Sequence, residues 1–508
     1  MGLFGRNKEH PNLEKILDQE LYRVPTTDTS ISWADCLEGT LITGATGSGK
    51  TSAIGKYIGQ AMLKKGFGMV IFCAKKEERE RWDAYIEDCG RTEDKILFNK
   101  SSGFKFNFLK YELERAGDGS GDVLNALNIL MNLNEQSRIY QSGNSGNKDE
   151  RFWDESLRRL ISRTIALLRL ADEEVSIYNM RKIVVNCFRD EDAKRYFNLT
   201  KLAFSNEQID KRVKDQAFQD LTEWKASSYF VEVIDMIISG PYYGSEETDI
   251  ILDYWLKEFA NISEKTTSII IESFMGCVEA FIGNGILKEQ FSQGLNKELA
   301  PESIIKGKKI LIVDFPVKEF GLSAIYAATI YKTAFQNACE RRNLTAEVDP
   351  KPIGLFIDEY QSFCNPVSDS LFQATARSSW VACVYITQNI NNLFFVMGDS
   401  QPQARAYSLL GNLNLKYFAN NADITTNEWA SNLVGKHWID VYSSSYGKDD
   451  DLTKSKSMQF HYKVTPDHFT TLKTGRKENN NKVQALVFKP GKLWDDKDSN
   501  FAIVEFKQ

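Results

Sequence analysis

Residues 44–51 read Gly44-Ala45-Thr46-Gly47-Ser48-Gly49-Lys50-Thr51, which fits G-x-x-x-x-G-K-[ST]. In that spacing a glycine-rich turn lets successive backbone N–H groups converge on phosphate oxygens. Gly44, Gly47 and Gly49 permit the tight turn, with Ser52 closing the expected cradle. Lys50 is placed to reach the β and γ phosphates of ATP and Thr51 to ligate Mg²⁺. Such a loop needs a second metal partner at the end of another strand, and PIGLFIDEY (352–360) supplies it. Asp358 is expected to hold Mg²⁺ through water, and Glu359 to polarise the attacking water. Adjacent carboxylates of this kind suit hydrolysis better than binding alone. Asp314 in ILIVDFP ends a rival apolar strand, but no glutamate follows it. VACVYITQN ends in Thr387 and Gln388, where a polar side chain could sense the γ-phosphate between cradle and acid pair. Arg377, in QATARSSW, precedes that strand. An arginine there can point at a neighbouring subunit's nucleotide and stabilise transition-state charge. Arg405 is the alternative, and Arg341 and Arg342 are weaker ones.

These residues need elements to position them. TLITG (40–44) is a short β-rich run before the loop, and SAIGKYIGQAMLKKG has helical spacing after it. GMVIFCA is a continuous apolar run, as a buried parallel strand requires. EERERWDAYIEDCG reads as a helix and KILFN as a strand. Strand–helix alternation of this kind predicts a parallel α/β sheet. From 117 to 290 helical periodicity dominates, interrupted by the polar linker QSGNSGNKD (141–149). From about 305 the α/β pattern resumes through KKILIVDFP, NLKYFAN, KVQALVFKP and FAIVEF. DVYSSSYGKDDDLTKSKSMQFHYK (440–463) reads as an exposed loop or hairpin. The expected division is a lead-in over 1–34, a nucleotide-binding domain over 35–116 and 291–508, and an all-α insertion over 117–290.

Composition narrows the function class. The chain has 508 residues, too many for one compact core, and a net charge of −6. Whole-chain charge therefore gives no sign of nucleic acid; such a partner would need local positive charge. Lys105 and Arg151 are candidates for it. The eight cysteines include no C-x-x-C pair, and the four histidines form no zinc spacing. Buried thiols in a reducing cytoplasm are the expectation. No Ser-His-Asp or G-x-G-x-x-G signature appears. No run of about 18 apolar residues occurs, so no transmembrane helix is expected.

The ordered set of motifs resembles the type IV secretion coupling proteins, the TraG/TraD-type ATPases of the HerA–FtsK superfamily. GTLITGATGSGKTS is similar to their P-loop, and FKFNFL (104–109) to the segment before their all-α domain. RFWDESLRRLISRTIALL resembles the tryptophan-bearing helix of that domain. LFIDEYQSF, VYITQNINNL, LNLKYFANNADITTNEWASNLVGK and VTPDHFTTLKTGR resemble their later segments. The match runs over most of 35–495. It implies a RecA-like P-loop core with an inserted all-α domain, assembled as a hexameric ring that pumps DNA, often with an attached relaxase. By the same resemblance, Lys50 and Thr51 form the cradle, Asp358 and Glu359 the acid pair, Gln388 the sensor and Arg377 the trans arginine. Family members commonly begin with transmembrane helices. A cytoplasmic variant is therefore expected here, peripheral at the inner membrane through a separate membrane subunit. An ATPase that recruits or exports proteins on its all-α domain, or an ATP-dependent regulatory switch, are the alternatives.

Overall fold

In the computed structural model, the described residues are 13–141, 148–205, 209–283, 285–366, 368–398, 401–446, 452–494 and 499–508. The linker residues 142–147, the hairpin tip 447–451 and the side chain of Arg151 lie outside this set. Among the described residues the strands are β1 Glu20–Arg23, β2 Ser30–Ser32, β3 Thr40–Thr43, β4 Gly68–Cys73 and β5 Lys95–Asn99. They continue with β6 Ile310–Asp314, β7 Ile353–Ile357, β8 Val381–Thr387, β9 Leu415–Ala419, β10 Lys436–Tyr446, β11 Leu452–Tyr462, β12 Lys482–Phe488 and β13 Phe501–Lys507.

Nine strands form one sheet in the order β13-β12-β9-β3-β8-β7-β4-β6-β5. The pairs from β9 to β5 are parallel, and β12 joins β9 and β13 antiparallel. The apolar runs fall on its centre: β3, β4, β6, β7, β8 and β9 are buried at every position. A strand covered on both faces has no reason to alternate polar and apolar residues, which is why those runs are continuous.

Contacts divide the chain into two compact units. The first takes residues up to Asn99, Pro301–Ala328 and Phe335–Gln508; the second takes Lys100–Ala300 with Thr329–Ala334. The second is built of helices, among them Val123–Gln141, Lys148–Leu170, Lys211–Ser227 and Glu264–Ile282. Its interior packs aromatic rings: Phe230 lies edge-on to Trp255 and to Phe188, with centroids at 5.5 and 4.9 Å. Lys105 is exposed in this unit, at the rim of a cavity of about 630 Å³. The stretch around 440–463 is a hairpin, β10 with β11, in which Trp438 faces Phe460 and Tyr442 faces Lys456. Trp438, Tyr442 and Phe460 are all exposed.

In the first unit the helix Lys56–Lys64 follows the glycine-rich loop and turns Ile58 and Met62 into the core. It approaches the next helix, Lys76–Asp88, closely. A Cβ on Gly59 would sit 2.6 Å from Cη2 of the buried Trp82, whose ring stands edge-on to Phe356. Alanine is the better helix former by about 1 kcal/mol, but overpacking a rigid indole costs about 1–3 kcal/mol. Gly59→Ala should therefore lower the melting temperature; an unchanged or raised midpoint in thermal denaturation would contradict this packing account.

Candidate nucleotide site

The parallel strands deliver the predicted side chains to one edge. Thr43 at the end of β3 pairs with Thr387 at the end of β8, and Ile357 at the end of β7 pairs with Tyr385. β8 lies between β3 and β7. Its following residue, Gln388, thus stands between the glycine loop and Asp358-Glu359.

The loop itself is shaped by its glycines and its neighbours. Gly47 and Gly49 have φ of 78° and 84°, the left-handed region in which a Cβ is strained. A Cβ on Gly49 would also collide with Val483 of β12. Ala45 donates its N–H to the carbonyl of Asn420 (2.8 Å), and Gly44 donates to that of Gln388 (3.2 Å). Lys50 is buried, and the buried Ser48 hydroxyl has no partner.

Thr51 Oγ1 donates to Asp358 Oδ2 at 2.8 Å. The other oxygen, Oδ1, accepts the N–H of Glu359 at 2.8 Å. Burial pushes the Asp358 carboxyl above its usual range; the Thr51 bond opposes this, and the charge of Glu359 adds to it. Glu359 has φ 48° and ψ 48°, an unusual conformation for a residue with a side chain. The turn after it is fixed by Tyr360, which stacks on Tyr385 of β8 at 4.1 Å and donates to buried Asp369 at 2.8 Å.

Three side chains converge on the Glu359 carboxylate. Lys75 forms an ion pair with Oε1. Gln361 Nε2 donates to Oε2 at 2.6 Å and Gln388 Nε2 at 3.4 Å, the latter a weak contact. Burial alone would raise this carboxyl, but the Lys75 and Gln361 bonds and the charges of Lys75 and Lys50 carry it below the usual glutamate value.

A cleft of about 320 Å³ opens over these groups, lined among others by Thr46, Lys50, Thr51, Lys75, Asp358 and Glu359. Gly44, Ala45 and Ser48 belong to the loop's backbone course rather than to the lining. Ser52 does line the cleft, and its hydroxyl accepts from Gln508 Nε2 at 2.8 Å.

The rival residues are elsewhere. Asp314 ends β6, separated from β7 by β4, and pairs with Arg79 at 3.5 Å. Arg342 is held by Glu347 at 2.9 Å, and Arg341 lies 3.6 Å from Glu302. Arg405 donates to the Met397 carbonyl at 3.2 Å. Arg377 precedes β8, so it sits at the opposite end of that strand from Gln388, about 20 Å away at ~3.3 Å per residue. Its side chain is 63% exposed, with one ion pair to Glu38 at 3.5 Å.

Lys75 and Glu78 escaped the sequence reading. The signal was present: GMVIFCA is an apolar strand that runs into Lys75-Lys76-Glu77-Glu78, the same strand-end pattern that marks Asp358. β4 pairs with β7 (Phe72 with Ile357), so Lys75 emerges beside Glu359.

Residues 352–473 match the family model described as the TraM recognition site of TraD and TraG. That segment carries Asp358, Glu359, Arg377, Gln388 and Arg405. Over nearly the whole chain the structure superposes on the bacterial conjugative coupling protein TrwB. The unbound form gives a TM-score of 0.56 at 14% identity, covering 96% of this chain and 88% of that one. The chain has the coupling-protein fold. TrwB with ADP and Mg²⁺ gives 0.57 at 13% identity, and TrwB with the ATP analogue ADPNP gives 0.56 at 14%; each covers 97% of this chain and 92% of TrwB. No curated protein matches the chain in sequence. The expected α/β architecture, a RecA-like P-loop core with a helical body, is the observed one. Among the described residues no helix is long and apolar enough to cross a membrane, and no group of His, Cys, Asp and Glu is arranged to hold a metal by itself.

Glu78 gives the site a testable proton. Its Oε2 accepts from the N–H groups of Ala74 (2.7 Å) and Lys75 (3.3 Å). Burial and the charge of Asp358 nevertheless push its carboxyl from 4.5 up to about 8. The two backbone bonds favour the charged form and the burial opposes it; burial wins because both acids share one water-poor corner. The folded chain then holds this proton more tightly than the unfolded chain. Glu78 contributes stability that is complete below about pH 4.5 and is lost as pH rises through about 8. Glu78→Gln should flatten the fall of unfolding free energy between those values in denaturant titrations; a variant with the wild-type slope would show that Glu78 is ionised throughout.

Proposed function

We propose that this protein is an ATP-driven motor of the coupling-protein type, which moves DNA or a DNA–protein complex in conjugative transfer and works as a homo-hexameric ring. The observation that carries this reading is the bond from Thr51 to Asp358 with Glu359 beside it, at the mouth of a glycine cradle. A hydroxyl and a buried carboxylate oxygen 2.8 Å apart at the cleft are a donor set that suits Mg²⁺. When bound, Mg²⁺ would neutralise charge on the β and γ phosphates. TrwB, which shares the fold, is known with ADP and Mg²⁺ and with an ATP analogue.

In this reading the N–H groups of the cleft-lining loop residues Gly47, Gly49, Lys50 and Thr51, with the Lys50 ammonium, bind the phosphates, while Thr51 and Asp358 face the metal. Glu359 orients the water and takes its proton as the water oxygen attacks the γ-phosphorus. The bond to the β,γ-bridging oxygen breaks and ADP leaves with that electron pair. Gln388 lies where it could report the presence of the γ-phosphate. Arg377 is remote from its own cleft and exposed, as a residue serving the next subunit must be.

The TraM recognition description of the matching family supports a protein partner on 352–473. A relaxase or effector on the helical unit, and a separate membrane subunit that holds the protein at the inner membrane, complete the proposed setting.

Steady-state ATP hydrolysis with and without double- and single-stranded DNA tests the reading. Stimulation by DNA is expected, with Glu359→Gln binding ATP but leaving it unhydrolysed. Hydrolysis indifferent to DNA would instead favour a protein-handling ATPase. Arg377→Ala should leave ATP affinity near normal and cut turnover by about 10³-fold. Full activity in that variant would remove Arg377 from the site and make Arg405 the next candidate.

A further inference from the structure

Lys75 occupies a position that the hydrolytic scheme does not use. It follows β4 by two residues and caps the start of the helix Lys76–Asp88. Its backbone is pinned, because the buried Glu78 carboxylate accepts the N–H groups of Ala74 and Lys75. Its side chain is unequal to its partner: Lys75 is 45% exposed and Glu359 8%. A fixed backbone with a long, half-exposed stem gives the ammonium a short arc of travel along the cleft that it lines.

In the structure that ammonium sits on Glu359 Oε1, and the two glutamines hold Oε2. Both oxygens of the residue placed to accept a proton are therefore engaged. An ammonium contact stabilises the ionised carboxylate and makes it a weaker base. Oε1 regains its full basicity towards water only when Lys75 leaves it, and a half-exposed ammonium on a long stem can follow a more strongly charged anion. Across the same cleft stands Lys50, whose expected partner is the terminal phosphate. Terminal phosphate oxygens are the anions that would arrive between Lys50 and Lys75.

We propose that Lys75 is a triphosphate-sensing latch: it holds Glu359 when no γ-phosphate is present and transfers to the γ-phosphate when one is bound, releasing the base. The inference rests on the ATPase reading above. ADP has no group at that position and leaves the latch closed, so the base is freed only while there is a bond to cleave.

Two roles have to be separated, contact with the γ-phosphate and simple neutralisation of Glu359. The Glu359→Gln background separates them, because it removes the carboxylate and with it any neutralising role. The measurement is the dissociation constant for ATP and for ADP, by calorimetry with Mg²⁺, in Glu359→Gln alone and combined with Lys75→Met or Lys75→Arg. Lys75→Met in that background should weaken ATP by about tenfold while ADP changes less than about twofold, as loss of one charge-assisted contact to a single phosphate requires. Lys75→Arg should keep most of the preference for ATP. With Glu359 intact, Lys75→Met should lower kcat more than it raises KM. An ATP-to-ADP affinity ratio unchanged by Lys75→Met, with a wild-type melting temperature, would overturn the latch and leave the ATPase reading untouched. Failure of the Glu359→Gln parent to bind either nucleotide would overturn both.

Discussion

The site depends on one constraint: β3, β8 and β7 run parallel and adjacent, with β3 and β8 ending level and β7 two residues short of them, so that the next two residues, Asp358 and Glu359, come up to their height. Thr43 beside Thr387, and Ile357 beside Tyr385, put the cradle, the glutamine and the acid pair within one side chain's reach of each other. Parallel strands can be neighbours only through long crossovers, which explains how two groups 307 residues apart in sequence share a hydrogen bond. A slip of one residue in any of the three would turn the acid pair away from the loop. Full burial of all three strands makes such a slip expensive.

Around that register the site is over-determined. Glu359 keeps an unfavourable backbone conformation because Asp358 accepts its N–H and because Tyr360, stacked on Tyr385, fixes the turn behind it. Strain at one residue is tolerable where several independent contacts define its neighbours. The charges follow the same logic. Lys50 and Lys75 line the cleft with three carboxyls, Asp358, Glu359 and Glu78, and of these Glu359 holds an ion pair, with Lys75. Where that balance is poorest, at Glu78, the pH at which the proton leaves moves towards neutrality.

Much of this was legible in the sequence, for physical reasons. A glycine loop with its lysine and threonine has a fixed spacing, and a central parallel strand has to be continuously apolar. β3, β4, β7 and β8, with Asp358 and Glu359, could therefore be read directly. In sequence only the following glutamate separates Asp358 from Asp314; that β7 and not β6 neighbours β8 is a matter of strand order, which no local pattern reveals. Lys75 and Glu78 were hidden because their meaning depends on β4 lying beside β7. A Lys-Lys-Glu-Glu run after a strand looks like an ordinary helix start until the neighbour is known. Gly49 reads in sequence as a turn residue only; its contact with Val483 depends on the fold. Arg377 is the reverse case: its type and place in the sequence suggested a role, and the structure shows it at the far end of its own strand.

The contact between Gly49 and Val483 couples the cradle to the rim of the sheet. Val483 belongs to β12, whose partner β13 is the outermost strand, and Gln508 beyond it bonds to Ser52. The amides that would grip a phosphate thus rest on a hairpin that faces outwards. A load that shifted β12 towards the loop would press an isopropyl group against a residue with no room to yield. By linkage, whatever loosens phosphate binding under that load is matched by an equal bias of the bound phosphate on the hairpin's position. Were a phosphate held in the loop, the edge hairpin would be a mechanical lever on its affinity through the Gly49–Val483 contact.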